Sequence, residues 1–289
     1  VGGLINIITK DADGSDKLRV DLSVTSVGEY NADVAAKFVI NSRISSLLGI
    51  NYFNYQEIRD INSDNFTDVA LQDRISIFNK WNFKSCNDLG SSLALRYVHE
   101  NRWGGETQWQ PKFRGTDSVY GESISTNRFE LISTLAMSKN IVADLSYNYH
   151  LQDSYYGSIK YYASQHVAFA QLRWNKTWRK HDVLMGIPVR FTFYDDNSPA
   201  TAKANGDNNP SRIYLPGIFV QDQFTMNEKL TTLLGLRYDY NNEHGHIVTP
   251  RLSFKFSPDK HNTLRLSGGN GFRVVNLFTE DHAALTGAR

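Results

Sequence analysis

One stretch of the sequence, residues 101–125, concentrates the side chains best suited to binding a ligand. It mixes arginines with aromatic rings, and the candidates are Arg102, Trp103, Trp109, Phe113, Arg114 and Tyr120. Aromatic side chains beside arginine offer a large contact area at a low cost in conformational entropy. Because a guanidinium group attracts anions and stacks on rings, the stretch favours an anionic, aromatic ligand. The alternative is that these rings form an aromatic girdle at a membrane interface or pack the loop against itself.

The sequence carries no known catalytic signature. It contains no Gly-x-Ser-x-Gly elbow, no His-Glu-x-x-His motif and no Walker A loop. His244 and His246 flank a glycine, but two possible ligands without a third are weak grounds for a metal site. The single Cys86 excludes a disulfide framework. We therefore expect a protein that is not an enzyme, with no catalytic residues, no metal site and no cofactor.

Composition narrows the class of protein. Lys and Arg number 31 against 30 Asp and Glu, so the net charge is +1, which argues against a nucleic-acid partner. The mean hydropathy is −0.43, and no apolar run approaches the roughly 18 residues that a membrane helix needs. Aromatic residues nevertheless make up 12% of the chain. A low hydropathy with many aromatic residues is typical of an all-β chain in which apolar and polar side chains alternate.

Alternation with a period of two is the dominant pattern. In residues 230–240, Leu234 and Leu236 share one face, whereas Arg237 and Asp239 share the other. A helix, whose period is 3.6, cannot sort residues in this way. The charged residues expected on the inward faces of this strand and the next two are Arg237, Asp239, Arg251 and Arg265.

We count about thirteen strands, many of them longer than the roughly 5–6 residues typical of globular proteins and long enough to cross a membrane. Tight links alternate with longer polar stretches, at about 26–31, 56–70, 101–125, 152–160, 195–211 and 241–248. This alternation is the layout of a transmembrane β-barrel, with short periplasmic turns and long extracellular loops. A soluble β-sandwich is the alternative, but large outward apolar rows are a liability in water.

The ends of the sequence suggest an internal piece of a longer chain. It begins VGGLINIITK, without an initiating methionine or a signal peptide, and it stops in the loop-like LTGAR. An odd number of strands points the same way, because single-chain bacterial barrels have an even number.

Three stretches resemble TonB-dependent outer-membrane receptors. VGGLINIITK resembles the last strand of that family's plug domain, and residues 217–240 resemble a common barrel hairpin with Gln-Asp in one strand and Gly-Leu-Arg-Tyr-Asp in the other. Residues 249–278 resemble the following hairpin, which starts with Thr-Pro-Arg and ends near Gly-Phe-Arg. Family members often continue with Ala-Pro, whereas this chain has Val274 and Val275.

The resemblance implies an antiparallel transmembrane β-barrel of about 22 strands around a plug. Residues 1–10 would then be the end of the plug domain, and residues 11–289 would be about thirteen strands of the barrel. Arg237, Asp239, Arg251 and Arg265 would face the lumen, where plug side chains or water could pair with them.

The resemblance also implies a function. The chain would belong to an active transporter of the bacterial outer membrane that imports a scarce ligand, most often a ferric siderophore such as a ferric catecholate. Its partners would be the TonB system, reached through the missing plug and TonB box, the siderophore or another small ligand, and outer-membrane lipid. A receptor for cobalamin or an oligosaccharide, or a passive porin, remains the alternative.

Overall fold

The computed structural model describes residues 8–85 and 89–274. Residues 1–7, residues 86–88, which include Cys86, and residues 275–289 lie outside them. The strands are β1 (Leu18–Val24), β2 (Glu29–Asn41), β3 (Ile44–Tyr55), β4 (Leu71–Lys84), β5 (Gly90–Gly105), β6 (Gly121–Ala136), β7 (Ile141–Tyr156), β8 (Ile159–Trp178), β9 (His181–Asp196), β10 (Ser211–Asn227), β11 (Leu230–Asn241), β12 (Gly245–Phe256) and β13 (Leu264–Gly269). Three single turns of 3₁₀ helix, Ala12–Gly14, Pro111–Phe113 and Pro199–Thr201, complete the described structure.

All thirteen strands form one sheet in which spatial order equals chain order, from β1 to β13. Each strand pairs antiparallel with the next, for example Leu234 with Leu252 and Phe169 with Arg190. The all-β, antiparallel prediction and its count of strands are therefore confirmed. No helix within the described residues is long and apolar enough to cross a membrane.

The sheet sorts side chains into an outer and an inner face. On β11, Leu234 and Leu236 are 55% and 52% exposed on the outer face, whereas Asp239 on the inner face is 0% exposed. The register continues this division across the sheet, because paired residues of neighbouring strands lie on the same face. Large apolar side chains therefore line the outer face, where a soluble protein would place polar ones.

The connections differ at the two ends of the sheet. One end, the turn end, has compact links such as residues 42–43, 179–180 and 228–229. The opposite end, the loop end, carries three long loops, at residues 56–70, 106–120 and 197–210. The prediction of long loops at residues 152–160 and 241–248 is wrong. The structure has tight turns there, at residues 157–158 and 242–244.

These two connections are shorter than predicted because many of the polar residues at 152–160 and 241–248 belong to strands. Gln152 and Ser154 are buried on the inner face of β7, where Gln152 donates a hydrogen bond to Ser154 at 2.9 Å. Polar composition indicated a loop, but an inward face of a sheet is also polar. Gly157, with φ of +58°, then makes the left-handed turn that glycine adopts without strain.

A small buried cluster lies on the inner face near the loop end. The Tyr161 and Tyr194 hydroxyls are 2.9 Å apart, and Tyr194 donates to Asp196 at 2.5 Å. Asp196 also accepts hydrogen bonds from Ser198 and Thr201, each at 2.8 Å. These contacts fasten the start of the 197–210 loop to the sheet.

The residues before β1 lie against the inner face at the turn end. Lys80 Nζ contacts Asp11 Oδ1 at 2.6 Å and Thr9 Oγ1 at 3.1 Å. Lys84 Nζ contacts Asp13 Oδ2 at 2.7 Å, and the pKa of Asp13 is lowered by this lysine. The chain therefore enters β1 from the inner side of the sheet, although most of the predicted plug end lies in residues 1–7.

The two faces should differ in their tolerance of charge. Because Leu236 lies on the outer face, Leu236→Arg should lower the free energy of unfolding in phospholipid vesicles by about 2–4 kcal/mol. Gln223 is exposed on the inner face, so Gln223→Arg should change the free energy of unfolding by less than about 0.5 kcal/mol. Urea unfolding measures both, and equal effects would contradict the assignment of the faces.

Candidate ligand-binding site

The 106–120 loop is fastened to the sheet by the contact between two tryptophans. Trp103 lies at the loop end of β5, and its ring centroid is 4.8 Å from that of Trp109. Trp109 is only 5% exposed and packs on Gly121 so closely that any side chain there would clash with the indole. Trp109 therefore acts first as an anchor of its own loop.

Arg114 ties the same loop to strands β6 and β7. Its guanidinium donates to Ser123 Oγ at 3.0 Å and to the carbonyl oxygen of Asp153 at 3.1 Å. It also pairs with the Asp153 carboxylate at 3.2 Å and lies 4.5 Å from the ring centroid of Tyr155. The guanidinium is therefore engaged within the protein, on the outer face of the sheet.

Phe113 and Tyr120 are more accessible parts of the loop. The ring of Phe113 lies 4.8 Å from Lys112 Nζ. The Tyr120 hydroxyl donates to Glu122 at 2.8 Å, and burial together with this hydrogen bond raises the pKa of Tyr120 to about 12. Tyr120 is therefore a neutral phenol at physiological pH, with a hydroxyl and a ring face at the loop.

Arg102 lies on the inner face, away from the tryptophans. Side chains from five neighbouring strands, β3 to β7, surround a concave pocket of 560 Å³. Its arginines form what we name the inner arginine cluster: Arg74, Arg96, Arg102 and Arg128. Two carboxylates accompany them. Glu100 lines the pocket, and Glu130 pairs with Arg96 at 2.8 Å. The cluster is thus a positively charged, polar wall that can receive an anion.

The prediction that all six candidates lie in one loop over residues 101–125 is wrong. Arg102 and Trp103 belong to strand β5, which continues to Gly105, and only Trp109, Phe113, Arg114 and Tyr120 lie in the 106–120 loop. Arg102 is on the inner face, whereas Trp103 and Arg114 are on the outer face. The inner arginine cluster was missed in the sequence, because its members come from three strands. The available signal was the recurrence of arginine at inward positions of successive strands.

A second concavity, of 1010 Å³, lies on the inner face of β7–β12 and residues 270–274. It is lined by Arg190, Arg237 and Arg251 together with apolar side chains such as Phe169 and Phe219. Arg237 pairs with the buried Asp239 through two contacts of 2.7 Å.

The predicted inward set lies on one face. Arg265 pairs in register with Lys255, which shares the inner face with Arg251, so Arg237, Asp239, Arg251 and Arg265 all point inward. Whether a plug contacts them stays a prediction.

Comparison with known families assigns the architecture. A family model described as TonB dependent receptor-like, beta-barrel, matches residues 16–282, nearly the whole chain. The chain belongs to this TonB-dependent receptor family. Members are transport receptors of the bacterial outer membrane rather than enzymes. The resemblance seen in the sequence is therefore confirmed, although no curated protein matches the chain in sequence.

Solved receptors share this TonB-dependent receptor fold. The siderophore receptor PirA from Pseudomonas aeruginosa is 12% identical, with a TM-score of 0.66 over 96% of this chain and 47% of its own. A mutant ferric enterobactin receptor, PfeA, from Pseudomonas aeruginosa in complex with enterobactin is 13% identical, with a TM-score of 0.67 over 96% and 47%. FpvAI in complex with pyocin S2 is 12% identical, with a TM-score of 0.59 over 87% and 40%. The chain thus spans about half the length of these receptors.

The loop anchor can be tested through Arg114. Arg114→Ala removes its hydrogen bonds, its ion pair and its ring contact, together worth about 1–2 kcal/mol at this partly exposed position. Limited proteolysis of the folded protein should therefore cut the 106–120 loop about five- to tenfold faster. Lys112→Ala, which removes a neighbouring cation without such bonds, is the control and should leave the rate nearly unchanged. Equal rates for the two variants would contradict the anchoring role.

Proposed function

We propose that this chain is part of an outer-membrane active transporter that imports a ferric siderophore with energy delivered by TonB. The observation that carries the proposal is the family match over residues 16–282. The likeness to receptors named for siderophores and for ferric enterobactin supports the class of ligand. In this proposal the loop end faces the medium and the turn end faces the periplasm.

The charge of the inner face supports an anionic ligand. The inner arginine cluster borders a pocket large enough for several acceptor oxygens. One of its members is Arg102, a ligand-binding candidate predicted from the sequence. Guanidinium groups form strong, directional hydrogen bonds to oxyanions. A ferric catecholate carries negative charge on oxygen atoms and presents aromatic rings, so it fits a wall of arginines better than a neutral ligand does.

The six candidate residues have distinct proposed roles. Arg102 would bind the ligand directly from the inner face, and the accessible rings of Phe113 and Tyr120 would contact it from the loop. Trp103, Trp109 and Arg114 would act through the position of the 106–120 loop, since each is already packed within the protein.

A plug is the proposed partner of the inner face. Arg237, Asp239, Arg251 and Arg265 would meet its surface. The contacts of Thr9, Asp11 and Asp13 with the lysines of β4 would hold its connection to β1. The TonB system would then act on that plug to open a path for the ligand.

Ligand binding by the purified protein tests the proposal. Quenching of tryptophan fluorescence should report binding of a ferric tris-catecholate. The double variant Arg102→Ala with Arg128→Ala should raise its Kd about tenfold for each arginine, because a hydrogen bond to a charged group contributes about 1.5 kcal/mol. Arg43→Ala, at the turn end, is the matched control and should not change the Kd.

The alternatives give different results in the same assay. Binding of cyanocobalamin or of an oligosaccharide, with no response to the ferric catecholate, would replace the siderophore by that ligand. A steady ionic conductance in planar bilayers without saturable binding of any ligand would favour a passive porin.

A further inference from the structure

A patch of cationic and aromatic side chains lies on the outer face at the turn end, where β8 meets β9. Its members, which we name the turn-end patch, are Trp174, Lys176, Trp178, Arg179 and Lys180. Trp174, Lys176 and Trp178 alternate along β8, so Lys176 lies between two indole rings on one face. Trp178 is 63% exposed, on the face that carries the apolar rows.

The backbone of Arg179 is unusual. Its φ is +53°, in the left-handed region that favours glycine. Its guanidinium carbon lies 5.4 Å from the ring centroid of Trp178, which holds the charge beside the outer face. A strained conformation retained by an arginine, at a turn where glycine would fit without strain, is a reason to look for a role of the side chain.

The positive charges of the patch have no acidic partner in the part of the chain that the structure describes. Among the described residues, no carboxylate forms an ion pair with Lys176, Arg179 or Lys180. Lys180 Nζ donates to the carbonyl oxygen of Met226 at 2.8 Å, which leaves its remaining donors available. Two acidic groups of the neighbouring strands have other partners: Asp222 contacts His181 at 2.7 Å, and Asp182 accepts from Thr177 at 3.2 Å.

These features suit the boundary between hydrocarbon and headgroups. Indole rings concentrate at this depth of a membrane, and long cationic side chains reach from it toward the headgroups. Cations near the surface attract anionic lipids, and a guanidinium group matches the geometry of a phosphate. Apolar Met185 and Ile187 continue the outer face above the patch, where acyl chains would lie.

We propose that the turn-end patch binds the headgroup phosphate of an anionic phospholipid in the periplasmic leaflet of the outer membrane. Lys176, Arg179 and Lys180 hold the phosphate, and Trp174 and Trp178 flank the glycerol and upper acyl chains. The inference rests on the membrane location in the proposed function and is independent of the ligand that is transported.

Native mass spectrometry of the protein in mild detergent tests this site. The probes are palmitoyl-oleoyl phosphatidylglycerol and the phosphatidylcholine with the same acyl chains. The wild-type protein should retain phosphatidylglycerol in preference to phosphatidylcholine. A triple variant, Lys176→Gln, Arg179→Gln and Lys180→Gln, should lose about fivefold in affinity for each cation removed. The matched control, Lys112→Gln, Lys160→Gln and Lys203→Gln at the loop end, should stay within about twofold of wild type.

A single variant keeps the proposal testable if the triple variant misfolds. Arg179→Gly removes the cation and places glycine where the backbone favours it, so thermal stability should be kept or raised. Its affinity for phosphatidylglycerol should still fall about fivefold. Binding of ferric tris-catecholate should be unchanged in both patch variants, which separates this site from the proposed transport function.

Three results would overturn the proposal. Equal retention of phosphatidylglycerol by wild type and both patch variants would show that the patch does not bind it. Equal retention of the two lipids by wild type would reduce the patch to an ordinary aromatic girdle. Displacement of the lipid by an equal concentration of soluble glycerol phosphate would indicate a site for free phosphate.

Discussion

The structure depends on one constraint, which is that a chain inside a bilayer must satisfy its backbone hydrogen bonds without water. This chain does so with one continuous antiparallel ladder, in which each strand from β1 to β13 pairs with the next in the sequence. Because side chains alternate along every strand, the ladder also determines which residues meet lipid and which face inward. The apolar rows of the outer face and the charges of the inner face follow from it.

The same constraint explains how a concave, charged surface is made from distant residues. Arg74, Arg96, Arg102 and Arg128 come from three strands, β4 to β6, and His150 of β7 completes the wall of their pocket. Register brings them together, as in the pairing of Arg74 with Glu100 and of Arg96 with Glu130. The loops add side chains beyond the ends of the strands, and their positions depend on contacts with the sheet. Trp109 packs on Gly121, and Arg114 bonds to Ser123, so the 106–120 loop has a defined position at one end of the sheet.

Most of the fold could be predicted from the sequence, because a period of two is a local property. Leu234 and Arg237 reveal their faces within a few residues. The predicted loops at 152–160 and 241–248 were wrong, because buried polar residues such as Gln152 and Ser154 have the composition of a loop. The candidate site was harder. The separation of Arg102 from Trp103 follows from strand alternation only when β5 is known to continue to Gly105. The inner arginine cluster requires the register of several strands, which no single segment contains.

In the proposed function, the receptor that contains this chain imports an iron chelate with energy delivered by TonB. Uptake of radioactive iron by cells is the most direct measurement, with a ferric tris-catecholate as the source. The cell's sole receptor for it is the whole receptor to which we propose this chain belongs, with its plug and TonB box. We expect saturable accumulation that is abolished when TonB is deleted. Accumulation that continues at the same rate without TonB, and rises linearly with concentration, would contradict it.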